Sequence, residues 1–200
     1  MNSTTVSEHY DLLVDENNDP VRDPAPLRAY MEKWDGPQFL GLLGLTGNET
    51  VLEIGVGTGR LAMKTAPRCK RLYGIDLSEK TVRRAGENLA HLQNVELICA
   101  DFMTHRFARR FEVIYSSLTL MHIEQKQACF EKVFSLLEHG GRFVLSIDKN
   151  RAQTLDCGSR WLTVFPDDPA SVAAFAKAAG FVLSQAQEAE LAHLFCFHKP

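Results

Sequence analysis

Between residues 51 and 147 the chain alternates two hydrophobic patterns. Val51-Leu52-Glu53-Ile54 is a short, nearly continuous apolar run ending in glycines. That is the signature of a parallel strand covered on both faces. Runs of the same kind recur at 71–75, 95–99, 111–115 and 142–147. The stretches between them change to helical spacing. Residues 59–66 read as a helix stopped near Pro67. Ser78 caps a second helix whose inner face is Val82, Ala85, Leu89 and Leu92. A third, over about 124–138, turns Cys129, Phe130, Val133, Phe134 and Leu137 inward, with Gly140-Gly141 as its left-handed stop. Strands alternating with helices imply right-handed crossovers and a parallel sheet between two helical layers.

The flanks follow other rules. Residues 1–26 are polar and acidic, and Pro20, Pro24 and Pro26 forbid a long helix, so a frayed terminus is expected. Leu27, Tyr30, Met31 and Trp34 begin a helical pattern that Gly36-Pro37 breaks and that resumes to Leu43; Gly47-Asn48 is a turn. Near the other end, Asp168 followed by Pro169 starts a helix that runs to Ala179 and stops at Gly180. Residues 181–187 and 192–198 then read as two strands joined by a short acidic turn, which forces an antiparallel pair.

Length and composition narrow the class. Two hundred residues, 45% hydrophobic and 24% charged, suit one globular domain over 1–200. Within it, 1–46 form an N-terminal lid or helical segment, 47–150 a ligand-binding core, and 151–200 a substrate-side loop, helix and closing hairpin. The net charge of −3 gives no global case for nucleic acid or an anionic membrane. Cys69, Cys99, Cys129, Cys157 and Cys196 are dispersed, so neither a zinc site nor a disulfide framework is expected; they read as small buried hydrophobes of a reducing cytosol. The start lacks a signal-peptide pattern, and no apolar run reaches the roughly 18–20 residues that cross a bilayer. A cytoplasmic protein without a metal is the expectation.

The candidate chemistry lies at strand ends. Glu53-Ile54-Gly55-Val56-Gly57-Thr58-Gly59 joins the first strand to the first helix, where glycines let a ligand approach bare backbone. The glycines stand at places one, three and five. The dinucleotide fingerprint needs glycine at place six, which here is Arg60. Asp76 ends the second strand 21 residues after Gly55, where a carboxylate can accept from both hydroxyls of a ribose. Asp101-Phe102 follows the third strand, an acceptor for an adenine amino group with a ring beside it. All three motifs sit on one edge of the sheet. The basic cluster Arg60, Lys64, Arg68, Lys70 and Arg71 reads as a solvated helix face, and Trp34 and Trp161 as core or wall.

The ordered set Val51–Gly59, Gly74-Ile75-Asp76 and Ala100-Asp101-Phe102 resembles class I S-adenosylmethionine-dependent methyltransferases. Phe111-Glu112-Val113-Ile114-Tyr115-Ser116-Ser117-Leu118 and Leu136-Leu137-Glu138-His139-Gly140-Gly141-Arg142-Phe143 are similar to that family's later strand motifs. The resemblance implies an α/β three-layer sandwich: a seven-stranded, mostly parallel sheet closed by an antiparallel C-terminal hairpin. It implies S-adenosylmethionine as methyl donor and S-adenosylhomocysteine as product. By that resemblance Gly55, Gly57 and Gly59 would cradle the methionine end and Glu53 would meet its ammonium. Asp76 would hold the ribose, Leu77 would pack on the adenine, and Asp101 and Phe102 would flank it. Ser116 and Ser117 would line the pocket near the sulfonium, with Tyr10 as a lid. His122, on the turn after the fourth strand, is the candidate general base. Ser116-Ser117-Leu118-Thr119 departs from the Asn/Asp-Pro-Pro-aromatic signature of the adenine- and amide-nitrogen methyltransferases of this fold. A small-molecule acceptor is therefore expected, with 148–166 (Arg151, Arg160, Trp161, Phe165) as its pocket, in a monomer or homodimer. The alternatives are a nicotinamide-dependent oxidoreductase and a non-catalytic S-adenosylmethionine-binding protein.

Overall fold

The computed structural model describes residues 2–200. Strand β1 (Asn2–Ser3) and helices α1 (Val6–Asp15), α2 (Ala25–Asp35) and α3 (Pro37–Leu42) come first. The core alternates β2 (Thr50–Ile54), α4 (Ala62–Thr65), β3 (Arg71–Asp76), α5 (Glu79–Leu89), β4 (Val95–Cys99), β5 (Phe111–Ser117), α6 (Lys126–Leu136) and β6 (Leu137–Asp148). Strands β7 (Thr154–Asp156) and β8 (Arg160–Thr163), helix α7 (Pro169–Ala179), and strands β9 (Val182–Glu188) and β10 (Ala192–His198) complete the chain.

A seven-stranded sheet in the order β4-β3-β2-β5-β6-β10-β9 is the centre of the molecule. The pairs from β4 through β6 are parallel, and β10 runs antiparallel to both β6 and β9. The chain winds outward from β2 to β4 on one side, then crosses to β5 on the other. That reversal leaves a crevice at the carboxyl ends of β2 and β5. Successive strand residues point to opposite faces, so Leu52, Ile54, Ile114 and Phe143 pack under α6 and α7. Val51, Leu72, Val113 and Tyr115 pack under α3, α4 and α5. The three-layer α/β sandwich is thus present, hairpin included.

Five local expectations are corrected. The first 26 residues are not frayed. Thr5 and Glu8 form a capping box that starts α1, and the prolines lie beyond that helix. The helix expected over 59–66 is only four residues long and tightens into a 3₁₀ turn over Ala66–Arg68, where Pro67 removes a donor. Gly140-Gly141 does not stop α6, because Leu137 is already extended and both glycines lie inside β6. A Cβ on Gly141 would stand 3.0 Å from the Glu112 carbonyl, so a close approach to β5 explains that glycine. Segment 148–166 holds β7 and β8, which with β1 make a separate three-stranded sheet in the order β1-β8-β7. Cys69, Cys129 and Cys196 are buried as expected, but Cys99 is exposed. Among the described residues no helix is long and apolar enough to cross a membrane.

Candidate functional site

The turn after β2 brings bare backbone to the crevice. Gly55 and Val56 both donate to the Ile75 carbonyl, at 2.9 and 3.1 Å, which ties the turn to β3. Gly55 has φ +78°, and a Cβ there would stand 2.1 Å from Thr119 Oγ1. Gly57 has φ +55°, and a Cβ there meets nothing within 4 Å. Gly57 therefore faces open space at the point where its amide is fixed. Gly59 differs: it packs under Leu89 of α5 and is not on the cavity wall.

Asp76 is bonded into this loop. Its Oδ2 accepts from the Gly57 amide at 3.0 Å and its Oδ1 from the Ser78 amide at 3.1 Å. Burial raises its pKa, and those two amides oppose the rise. Ser78 caps α5 as expected, accepting from the Thr81 amide. Its hydroxyl also donates to Asp11 of α1 at 2.6 Å, and the Lys80 amide donates to the same oxygen at 3.1 Å. Helix α1 is thereby fastened across the start of α5.

A cavity of about 310 Å³ occupies the crevice, the size of a small-molecule site. Its wall includes Glu53, Gly55, Gly57, Asp76, Leu77, Asp101, Phe102 and Ser117, so eight of the residues expected there converge. Val6 and Tyr10 of α1, Pro20, and Met31 of α2 cover it, facing His122 and Ile123. Phe102 is buried beneath the Lys132 ammonium, 5.1 Å from its ring centre, and Lys132 also donates to the Met103 and His105 carbonyls. The loop carrying Asp101 is fixed by that lysine.

Glu53 is 3% exposed and accepts one hydrogen bond, at 2.7 Å, from the Tyr115 hydroxyl. Burial pushes its carboxyl up to about 8, with the Tyr115 hydroxyl and the Arg60 charge pulling the other way. His122 Nε2 lies 2.9 Å from the Tyr10 hydroxyl, and its buried Nδ1 has no partner. Burial pushes His122 down to about 4, so the imidazole is neutral at physiological pH. Burial raises the Tyr10 phenol, which stays protonated.

Ser116 is fully buried and donates to the Ile54 carbonyl at 3.1 Å. The cavity wall takes its neighbour Ser117 instead, because adjacent strand residues face opposite sides. Arg60 is not on a solvated face. It lines the cavity and pairs through both terminal nitrogens with Asp35, which is fully buried at the end of α2. Nothing in the Asp35-Gly36-Pro37 pattern signals that pair; the only sequence trace was an arginine where the dinucleotide fingerprint wants glycine. None of 148–166 reaches the cavity wall. Arg160 is spent on Glu16, at 2.6 and 3.0 Å, and on His9 of α1, at 3.1 Å.

Comparison with known proteins agrees with this arrangement. Residues 51–141 match the family model described as a methyltransferase domain. A malonyl-[acyl-carrier protein] O-methyltransferase of Ilyobacter polytropus is 28% identical over 103 residues, which is 50% of this chain and 38% of that protein. A phosphoethanolamine N-methyltransferase of Triticum aestivum is 35% identical over 112 residues, 54% of this chain and 22% of that protein. The chain thus spans less than half the length of these curated relatives. The crystal structure of the N-methyltransferase NodS from Bradyrhizobium japonicum WM9, in complex with S-adenosyl-L-homocysteine, superposes with a TM-score of 0.78 at 19% identity, over 98% of this chain and 100% of that one. That likeness shows the fold. The nicotinamide reading gains no support from these relatives.

Proposed function

Because this chain carries the methyltransferase domain on the class I, Rossmann-like, S-adenosylmethionine-dependent methyltransferase fold, we propose that it transfers a methyl group from S-adenosylmethionine to a small-molecule acceptor. The observation that carries this reading is convergence. The glycine turn, Asp76 and Asp101-Phe102 come from three different strand ends and line one cavity. The donor fits what is there: at Gly57 the backbone meets open space where a side chain would intrude, as close contact with a ligand requires.

In this reading Asp76 holds the ribose hydroxyls, its carboxylate already oriented by two backbone amides. Leu77 and Phe102 flank the adenine and Asp101 accepts from its amino group. Glu53 meets the ammonium, and Gly55 and Gly57 lie along the methionine chain. Ser117 stands near the reacting end, while Ser116 and Gly59 support the wall from behind. Bound there, S-adenosylmethionine supplies an electrophilic methyl group. The protein's contribution is to exclude water and hold the acceptor in line, which can lower a barrier by several kcal/mol, on the order of 7–11 in the best-aligned cases. His122, with its conjugate acid near 4, is a weak proton acceptor at neutral pH. We assign it to holding Tyr10 over the cavity, the two being 2.9 Å apart.

Two features support a small acceptor: α1 covers the cavity, and Ser116-Ser117-Leu118-Thr119 stand where the adenine- and amide-nitrogen methyltransferases of the fold carry their Asn/Asp-Pro-Pro-aromatic signature. The relatives that act on malonyl-[acyl-carrier protein] and phosphoethanolamine supply the first acceptor classes to try, carboxyl and amine. The test is formation of S-adenosylhomocysteine against a panel of small carboxylic acids, amines, phenols and thiols. Acceptor-dependent turnover that disappears in Asp76→Ala supports the proposal. Tight binding without turnover on any acceptor would favour a non-catalytic binding protein.

A further inference from the structure

The loop joining α1 to α2 (residues 16–24) is part of the cover, with Pro20 on the cavity wall. Its neighbour Asp19 is not on the wall and is only 4% exposed. A carboxylate withdrawn that far from water must be hydrogen-bonded, and its donors come from two sides. The Val21 amide, in the same loop, donates to Oδ1 at 3.1 Å. From α5, Arg84 Nη1 donates to Oδ2 at 3.3 Å, and Asn88 Nδ2 lies 3.2 Å from Oδ1 and 3.0 Å from Oδ2. Burial pushes the Asp19 carboxyl up, but Asn88 and the other donors outweigh it and hold the group below its ordinary value.

Asn88 has a second partner. Its Nδ2 also donates to the Thr58 carbonyl, at 3.0 Å. Thr58 lies between Gly57 and Gly59 in the glycine turn and belongs to the cavity wall. An amide nitrogen carries two N–H groups; here one serves the turn and the other the carboxylate. The Asn88 Oδ1 accepts from Arg22 Nε at 3.2 Å. Two acceptors on the nitrogen side and one donor on the oxygen side fix which way the amide faces. Asn88 thus joins the glycine turn to the cover from outside the cavity. Asp11 is bonded to Ser78 and Lys80 at the start of α5, whereas Asn88 lies in its last turn, so the two fastenings are separate.

We infer that Asn88 is a positioning residue that couples the glycine turn to the Pro20 loop, so that donor binding on the turn and closure of the loop are one event. The inference rests on the donor reading above and adds a coupling to it. A ligand that orders Thr58 fixes the carbonyl that holds Asn88, and a fixed Asn88 leaves less freedom for Asp19 to lose when the loop closes. By linkage the closed loop favours the ligand by the same factor. Neither Asn88 nor Asp19 lines the cavity, so both act through Thr58 and Pro20.

Hydrogen exchange read by mass spectrometry on the intact chain, with S-adenosylhomocysteine as the probe, separates this role from a structural one. In the wild type, saturating ligand should slow exchange in residues 55–59 and in residues 18–22 together, by at least about fivefold in each. In Asn88→Ala, saturating ligand should still protect 55–59 and no longer protect 18–22. Titration calorimetry gives a second readout. Asn88→Ala and Pro20→Gly should each weaken S-adenosylhomocysteine at least about fivefold, and the double variant should bind like the weaker single, because both remove the same closure. Losses that multiply in the double variant, or protection of 18–22 that survives in Asn88→Ala, overturn the inference. So does a wild type whose residues 18–22 exchange alike with and without ligand. A wild type that does not bind S-adenosylhomocysteine overturns the donor reading itself. If Asn88→Ala fails to fold, Asp19→Ala cuts the same bridge from the loop side, leaves Arg84 paired with Glu87, and takes its place with the same expectations.

Discussion

At Glu53, burial and an incoming charge act in opposite directions. The free carboxyl, pushed up to about 8, holds its proton at neutral pH. An ammonium beside it favours the ionised form, so binding expels that proton. Affinity for S-adenosylhomocysteine should therefore rise about tenfold per pH unit from about pH 6 toward pH 8 and then level off. Titration calorimetry in buffers of different ionisation heat should read release of about one proton, and Glu53→Gln should abolish both the slope and the release. A flat affinity would remove Glu53 from the ammonium site. His122 gives a second test. A base of ordinary imidazole pKa would make kcat/KM fall below about pH 6.5. With His122 held near 4, no such limb is expected from it, and Tyr10→Phe should raise KM for the donor more than it lowers kcat. At this scale the carboxylates were legible because Asp76 and Asp101 occupy fixed places after strands. Asp35 and Arg60 were not, because their partnership depends on how α2 crosses the turn after β2, which no local spacing encodes.

The glycine turn between β2 and α4 makes unequal demands at each position. Gly55→Ala combines a left-handed backbone with a Cβ 2.1 Å from Thr119 Oγ1. Urea unfolding should show a loss of about 2–5 kcal/mol, the sum of a left-handed penalty and an overpacking cost. Gly57→Ala carries the backbone penalty alone, about 1–2 kcal/mol, yet places a methyl in the open space assigned above to the donor and should weaken donor binding sharply. Equal stability losses in the two variants would contradict this division. Elements whose signals are local were readable: Ser78 and Asp168 as caps, Gly180 as a left-handed stop, the buried strands. Gly140-Gly141 misled because a glycine pair after a helical run matches a helix stop, whereas here Gly141 admits the close backbone approach of β5 and Gly140 takes a left-handed φ of +75° inside β6. Helix α1 was hidden because its capping box is two residues in a polar stretch and its buried face is largely His9.

At the scale of the molecule, sheet order and the α1 cover define the site together. The sheet could be read from alternation plus a hairpin, since right-handed crossovers leave few topologies. The β1-β8-β7 sheet could not, because a two-residue strand pairing with a distant partner leaves no periodicity. That small sheet, the Arg160–Glu16 pair and the Asp11 cap on α5 hold α1 over the cavity from both ends. Asp11→Ala should lower stability by about 1 kcal/mol, as loss of a capping contact does. It should also speed release of S-adenosylhomocysteine in stopped-flow measurements. An unchanged release rate would mean that α1 is not a cover. The most direct test of the account is a crystal structure grown with S-adenosylhomocysteine. The ribose should lie within hydrogen-bond distance of Asp76, the adenine between Leu77 and Phe102, and the thioether chain over Gly55 and Gly57. Density for the ligand elsewhere, or a crevice left empty at saturating ligand, would contradict it.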